Sequence, residues 1–198
     1  MRLLLHACCA PCSATALERL SGDWEITLFY YNPNIYPEAE HTKRLGELRR
    51  LASEAPFARG TVVIAPAYDR REFLGAARGL ENEPEGGARC RECFALRLRA
   101  AAATAAERGF GAFSTTLTTG PRKSAADINV AGEKASREYG AAYFAEDFKK
   151  RGGYSRSVEL SREYSLYRQS YCGCEFAAPP LPRRDGARDS EVKGREQV

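Results

Sequence analysis

The chain has 198 residues, a length that favours a single domain. With 43% hydrophobic and 28% charged residues, it has the composition of a soluble globular protein, which excludes a disordered or fibrous chain. The formal net charge of +4 permits a polyanionic partner without requiring one. No apolar run approaches the ~20 residues that cross a bilayer, and the first residues lack the pattern of a secretory signal, so we predict a cytoplasmic protein without a membrane segment.

Short apolar runs alternate with helical patterns along most of the chain. Residues 2–5 predict a strand, and the segment that Pro11 opens, with apolar residues three apart, predicts a helix. Helical stretches separate further predicted strands at 24–31, 61–64, 112–116 and, more weakly, 142–145. This alternation predicts right-handed crossovers and an α/β fold, with a mainly parallel sheet flanked by helices.

Two segments interrupt the alternation. Residues 80–88 are rich in Glu, Gly and Pro and predict a loop, after which 94–108 predict a helix that stops at Gly109. After Cys174 the chain turns to prolines and mixed charges without apolar periodicity, which is typical of a disordered tail. We therefore expect one domain over residues 1–176 and a disordered C-terminal tail over 177–198.

Seven cysteines form three groups: Cys8, Cys9 and Cys12; Cys90 and Cys93; Cys172 and Cys174. An odd number cannot all pair, and in a reducing compartment clustered thiols are more often metal ligands or redox groups. The first group follows the first strand, at the carboxyl edge where open α/β sheets bind ligands. The second group is a C-x-x-C at a predicted helix start. Together the two groups provide ligands for a tetrahedral zinc or a [4Fe-4S] cluster, and spacing does not separate these centres.

Local geometry adds two expectations about these thiols. Cys8 and Cys9 can bind one centre only if the strand has ended before them, because adjacent strand residues point to opposite faces. Cys12, in the first helical turn, shares a face with Cys9 and is expected to have a lowered pKa. The helix dipole is likewise expected to favour thiolate at Cys90 and Cys93.

Cys172 and Cys174 are separated by a single glycine. A disulfide between them would close a small, strained and easily reduced ring, which suits a dithiol that delivers two electrons. The alternatives are two further metal ligands or two buried thiols.

Other segments fit an anion-binding cleft. Residues 115–123 combine hydroxyls, backbone amides and two cations after a predicted strand, which is typical of a phosphate cradle or of a capped helix start. The basic, glycine-bent stretch 147–156 fits either RNA contact or a solvated surface. His6 is interpreted as a proton donor or as a core hydrogen-bonding residue, and His41 is expected to be exposed. Residues 32–37 form a turn or contact the substrate.

Six motifs, in order along the chain, resemble the cobalamin-independent epoxyqueuosine reductases over residues 1–176. They are His6-Ala7-Cys8-Cys9-Ala10-Pro11-Cys12, Tyr30-Tyr31-Asn32-Pro33-Asn34-Ile35, Arg89-Cys90-Arg91-Glu92-Cys93-Phe94, Phe113-Ser114-Thr115-Thr116-Leu117, Asp147-Phe148-Lys149-Lys150 and Leu166-Tyr167-Arg168-Gln169-Ser170-Tyr171-Cys172-Gly173-Cys174. The resemblance implies a Rossmann-like fold of the nucleotide α-hydrolase type. It also implies the last step of queuosine biosynthesis, the two-electron reduction of the epoxide of epoxyqueuosine at the tRNA wobble position.

Carried over residue by residue, the resemblance implies a [4Fe-4S] cluster held by Cys8, Cys9, Cys90 and Cys93, with Cys172 and Cys174 as the redox-active catalytic pair. A variant arrangement, in which three cysteines hold the cluster and the others share an additional mononuclear iron, is also implied. Cys12 is then a further candidate metal ligand without a firm assignment. The implied partners are tRNA carrying epoxyqueuosine and an electron donor that the sequence does not identify.

Some questions stay open at this point. His6, Asp147 and Tyr171 are all candidates for the general acid that epoxide reduction requires. The Ser-Gly-Gly-x-Asp loop of ATP-using relatives is missing, which argues against ATP. Two other functions fit the residues without the resemblance: a structural-zinc RNA-binding module and a general thiol-disulfide oxidoreductase.

Overall fold

A four-stranded, fully parallel sheet forms the centre of the protein, for which a computed structural model describes residues 1–177. The strand order is β3-β2-β1-β4. The strands are β1 (Arg2–His6), β2 (Glu25–Phe29), β3 (Val62–Ile64) and β4 (Ala112–Thr115). The run predicted at 142–145 contributes only an isolated parallel bridge between Tyr143 and Phe113.

Six α-helices connect and cover the strands within the described residues. They are α1 (Ala10–Leu20), α2 (Glu38–Glu54), α3 (Arg71–Ala77), α4 (Ala88–Glu107), α5 (Ala125–Tyr139) and α6 (Gly153–Glu163). Two 3₁₀ turns, Pro56–Ala58 and Thr116–Thr119, complete the element order. None of the helices of residues 1–177 combines the length and apolar character that a bilayer crossing requires.

The central strand β1 is buried on both faces. Leu3 and Leu5 point into the core that α1, α2 and α6 cover, whereas Leu4 points into the core that α4 and α5 cover. All three leucines are fully buried, as expected for a parallel strand between two helical layers. This arrangement confirms the predicted α/β fold.

The chain reverses direction across the sheet at β1. It first builds β2 and β3 on one side and then returns to place β4 on the other side. The carboxyl ends of β1 and β4 therefore meet at a topological switch point, where α/β proteins of this kind bind ligands. The segments after His6 and after Thr115 meet at this edge.

Helix α4 begins at Ala88, six residues before the predicted start at Phe94. The cause is Arg89, which is 2% exposed and donates hydrogen bonds to the carbonyl oxygens of Leu80, Glu81 and Glu83. The predicted loop wraps around this side chain, and Cys90 and Cys93 lie on the first turns of the helix. Apart from Ala177, the predicted tail lies outside the described residues.

Candidate metal centre and cleft

Three cysteines meet at the switch point of the sheet. Strand β1 ends at His6, so Cys8 and Cys9 follow it in the turn that precedes α1, and Cys12 lies in the first turn of that helix. The three Sγ atoms lie within 4.8 Å of one another, and those of Cys8 and Cys9 are 3.8 Å apart. No other group of three Cys, His, Asp or Glu ligand atoms comes as close within residues 1–177. We call these residues the sulfur triad.

The three thiols of the triad differ in pKa. The hydrogen bonds that Cys12 and Cys9 donate lower the pKa of Cys8 well below its usual range. For Cys9, the lowering effect of the Cys12 hydrogen bond is outweighed by donation to Cys8 and by burial, and the pKa rises to about 11. Donation to Cys8 and Cys9, together with burial, raises the pKa of Cys12. The expected lowering at Cys12 is therefore wrong, because Cys8 is the thiol that ionises first.

Two cations without carboxylate partners face the triad. Arg97, which is 2% exposed, donates to His6 Nε2 at 3.3 Å and to Asn32 Oδ1, and its Nη1 lies 4.0 Å from Cys93 Sγ. Nearby thiolates, Cys8 first, outweigh the effect of burial and raise the pKa of Lys123, which keeps its charge. In residues 1–177, no carboxylate oxygen lies within 4.0 Å of either cation. A buried cation such as Arg97 needs anionic compensation, and Cys8, the triad thiol with a lowered pKa, offers one negative charge for the two cations.

The donor set therefore fits a sulfur-ligated, negatively charged metal centre. Thiolates are the ligands that zinc and iron-sulfur clusters share, so the triad offers three ligand atoms for a metal ion without identifying the metal. One thiolate does not balance two cations, so Arg97 and Lys123 favour a further anionic group at this position.

His6 belongs to the core rather than to the cleft. It is fully buried, with Nδ1 2.9 Å from Thr115 Oγ1 and Nε2 3.1 Å from the carbonyl oxygen of Tyr31. Burial, and then the charge of Arg97, lower its pKa to about 3, so the ring is neutral at physiological pH. Since Nε2 cannot donate to Tyr31 and accept from Arg97 at once, the tautomer selects one of the two.

The second and third cysteine groups lie side by side, in two pairs. Cys90 and Cys172 line one small pocket beside Lys123, whereas Cys93 and Cys174 lie in an apolar cluster with Phe73. Burial raises the pKa of Cys90, and it raises that of Cys93 to about 12. The expectation that the helix dipole favours thiolate at these two positions is wrong for the metal-free protein, because burial outweighs it.

A cleft of about 240 Å³ opens beside the triad. Its lining includes three thiols, those of Cys8, Cys12 and Cys172, and three cationic side chains, those of Arg44, Arg97 and Lys123. Of the three candidate acids, only Tyr171 lines this cleft, whereas Asp147 lines an adjacent open groove. The cleft therefore brings thiols from the first and third groups to one surface.

The hydroxyls of residues 115–123 are engaged within the fold. Thr115 Oγ1 accepts from Leu117 N at 3.1 Å, and Thr119 Oγ1 donates to Cys12 O at 3.2 Å. Helix α5 begins only at Ala125, with Ser124 as its N-cap. The segment thus braces the triad and leads into the capped helix, and its charged contribution to the cleft is Arg122 and Lys123.

Most cations of the basic stretch 147–156 are also paired. Lys149 Nζ donates to Lys123 O at 2.8 Å, Arg151 pairs with Glu146, and Arg156 pairs with Glu18. Lys150 is exposed, lines the adjacent groove and has no carboxylate within 4.0 Å in the described part of the chain. It is the lysine of this stretch that is available to a polyanion.

Sequence reasoning missed one charged residue of the cleft, Arg44. Arg44 looks like half of a surface Glu-Arg pair on a helix but is 2% exposed. Asn34 and Gln169 line the cleft, and each has an amide oxygen without a hydrogen-bond partner in the described chain. Of these cleft residues, only Asn34 lies in the segment 32–37, for which the sequence predicts a turn or a substrate contact. His41 is 6% exposed, so the expectation of an exposed histidine is wrong.

Comparisons with known proteins agree with the resemblance stated from the motifs. A family model described as "Epoxyqueuosine reductase QueH" matches residues 3–179. A protein of that name from Streptococcus pyogenes serotype M1 is 43% identical over 178 residues, 89% of this chain and 70% of the relative. The relative from Histophilus somni is 36% identical over 100% of this chain and 78% of its own length, and that from Thermotoga maritima is 34% identical over 92% of both.

Proposed function

The chain belongs to the epoxyqueuosine reductase QueH family, and from this premise we propose that it reduces the epoxide of epoxyqueuosine in tRNA to the alkene of queuosine. The sulfur triad at the switch point of the sheet, facing two cations that have no carboxylate partner in residues 1–177, is the observation that carries this proposal. Neither the zinc module nor the general oxidoreductase is favoured by the family.

The proposed cofactor is a [4Fe-4S] cluster with Cys8, Cys9, Cys90 and Cys93 as ligands, and with Cys12 available to an additional mononuclear iron. The donor chemistry supports it, since thiolates are the usual ligands of such clusters. Arg97 supports it too, because its guanidinium lies between Cys93 and the His6 end of β1 and has no carboxylate partner in residues 1–177. When bound, this centre supplies electrons and a Lewis acid.

Removal of an epoxide oxygen as water needs two electrons and two protons. We call Cys172 and Cys174 the C-terminal dithiol. Oxidation of these two thiols to one disulfide supplies the two electrons. Both are free thiols, and Cys172 lines the cleft. Tyr171 lines the same cleft, burial raises its pKa, and its hydroxyl donates to the carbonyl oxygen of Tyr36 at 3.0 Å.

In this proposal, four further residues of the cleft bind and orient the substrate: Asn34, Arg97, Lys123 and Gln169. Negative charge that develops on the leaving oxygen is stabilised by Lys123 and Arg97, since both are cationic and line the cleft. The unpaired amide oxygens of Asn34 and Gln169 accept hydrogen bonds from hydroxyl or amine groups of the modified nucleoside. The groove next to the cleft, with Lys150, contacts the tRNA backbone.

The test is an anaerobic incubation of the iron-loaded protein with epoxyqueuosine-containing tRNA and a chemical reductant, followed by nucleoside analysis. We expect queuosine to form, and Cys172→Ser and Cys90→Ser to abolish it. Ser170→Ala serves as the matched control, since Ser170 lines the same cleft without a thiol. Unchanged epoxyqueuosine with the iron-loaded wild-type chain contradicts the proposal.

A further inference from the structure

The segment that carries the C-terminal dithiol is docked along one face of α2. The backbone N–H of Tyr167 donates to Glu47 Oε2 at 2.8 Å, and the Tyr167 hydroxyl donates to Glu40 Oε2 at 3.1 Å. Glu40, Arg44 and Glu47 are three or four residues apart and therefore lie on the same side of the helix. This side of α2 positions the chain from Tyr167 onwards.

Arg44 is the member of this face that reaches the dithiol. Its Nε is 2.7 Å from Glu40 Oε1, which fixes the guanidinium plane. Its Nη1 donates to the carbonyl oxygen of Cys172 at 3.0 Å and its Nη2 to that of Tyr171 at 3.4 Å. One buried cation thus holds two consecutive peptide groups, the second of which belongs to a dithiol cysteine.

Gly173 continues the same attachment. Its carbonyl oxygen accepts from Tyr36 N at 2.8 Å, so three consecutive carbonyls, from residues 171 to 173, are bonded to the body of the protein. Its φ of +100° suits glycine alone, and a Cβ there would lie 3.0 Å from Arg44 Nη1 and 3.1 Å from Ile35 Cγ1. The backbone between the two thiols therefore has both a required conformation and a required contact.

The attachment decides what each thiol faces. Cys172 lines the cleft together with Cys8 and Cys12 of the triad, whereas Cys174 packs against the apolar cluster of Phe73 and Cys93. The two side chains are only two residues apart, so the conformation of the peptide at Gly173 separates their environments.

We infer that Arg44, oriented by Glu40, is the positioning residue of the C-terminal dithiol: by holding the carbonyls of Tyr171 and Cys172 it directs the Cys172 thiol into the cleft and the half-buried Cys174 thiol against the apolar cluster of Phe73. The inference rests on the proposed function for its catalytic meaning, but its structural content applies to the metal-free chain.

The test measures thiol accessibility in metal-free, reduced protein by alkylation with iodoacetamide and peptide mass spectrometry. Arg44→Met removes the hydrogen bonds to the carbonyls of Tyr171 and Cys172. We expect the alkylation rate of Cys174 to rise by about fivefold or more, since local opening of the segment exposes its thiol. Arg44→Lys keeps the charge but not the fork of donors and is expected to restore protection only in part. Glu40→Gln, which keeps the size of the side chain, is the second variant if Arg44→Met does not fold.

Arg50→Met is the matched control. Arg50 also lies on α2, pairs with Glu47 and donates to two backbone carbonyls, those of Tyr164 and Ser165, but it does not touch the dithiol peptide. In the Arg50→Met variant, the alkylation rates of Cys172 and Cys174 are expected to stay within about twofold of those in the wild type. Equal protection in wild type, Arg44→Met and Glu40→Gln overturns the inference, as does an equal rise in Arg50→Met.

Turnover separates this inference from the proposed function. With iron-loaded protein and epoxyqueuosine-containing tRNA, Arg44→Met is expected to lower kcat about tenfold or more with little change in KM. A raised KM with unchanged alkylation means that Arg44 binds substrate instead, which refutes the positioning role. If the wild-type chain shows no turnover, the proposed function fails, while the alkylation result still decides the role of Arg44.

Discussion

His41 makes the stability of the protein depend on pH in a way that can be calculated. Its ring lies between those of Tyr30 and Tyr68, with centroids 4.9 and 4.4 Å away, on the helix that also carries Arg44. Burial, and then the charge of Arg44, lower its pKa from 6.5 to about 4. The unfolded chain therefore binds a proton at His41 at a pH where the folded chain does not, and stability falls as pH decreases from 6.5 towards 4.

The size of the effect follows from the two pKa values. Linkage gives a loss of about 2 kcal/mol between pH 7 and pH 5, and about 3 kcal/mol at pH 4. The assay is urea unfolding of wild type and His41→Phe across this pH range. Phenylalanine keeps a ring between the two tyrosines but has no proton to bind, so all other titrations cancel in the difference between the two proteins.

The expected result is that His41→Phe loses less stability on acidification than wild type, by about 2 kcal/mol at pH 5. Parallel curves for the two proteins refute the reasoning, because they show that His41 binds its proton equally well in the folded and unfolded chain. A variant that is destabilised at pH 7 is still informative, since the test compares slopes.

Three further predictions concern packing and RNA contact. Gly153→Ala should lower the free energy of unfolding by about 2 kcal/mol or more, since its Cβ would lie 1.8 Å from the carbonyl oxygen of Phe148. Thermal unfolding measures this loss, and an unchanged stability contradicts the close approach of the first turn of α6 to Phe148. Gly46→Ala, with nothing within 4 Å on a helix surface, should stabilise by about 0.5 to 1 kcal/mol in the same assay. Lys150→Ala should weaken tRNA binding and reduce its salt slope by about one, measured by filter binding against Lys134→Ala on α5; equal slopes remove Lys150 from the interface.

The part of the site that depends on local sequence could be predicted. The apolar run Leu3–Leu5 predicts β1, and Pro11 predicts the following helix start, so the position of Cys8 and Cys9 beyond the strand end follows from adjacent residues alone. The convergence of these thiols with Cys12 is then a consequence of a tight turn into a helix.

The part that depends on distant contacts could not. His41 lies on a helix face with Glu40 and Lys43 that looks polar, and it is buried because Tyr68 covers it from another segment. The spacing of Glu40 and Arg44 is that of an ion pair on a helix surface. Arg44 is buried because Cys172, 128 residues further along the chain, lies against it. Periodicity reports which face of a helix is apolar, but it does not report which polar side chain a later segment will cover.

The early start of α4 has the same origin. Residues 80–88 have loop composition, yet Arg89 organises them by donating to three of their carbonyl oxygens, which brings Cys90 and Cys93 onto the helix. The pKa values of the triad also depend on packing, because the lowering at Cys8 requires two neighbouring thiols to donate to it. A helix-dipole argument applied to each cysteine separately predicts the wrong thiol.

The most direct measurement is the iron and acid-labile sulfide content of protein reconstituted anaerobically, compared between wild type and the Cys90→Ser, Cys93→Ser double variant. A [4Fe-4S] centre shared between the triad and α4 predicts about four sulfides and at least about four irons per wild-type chain, with both lost together in the variant. One zinc per chain without sulfide, or an unchanged cluster in the double variant, contradicts the account.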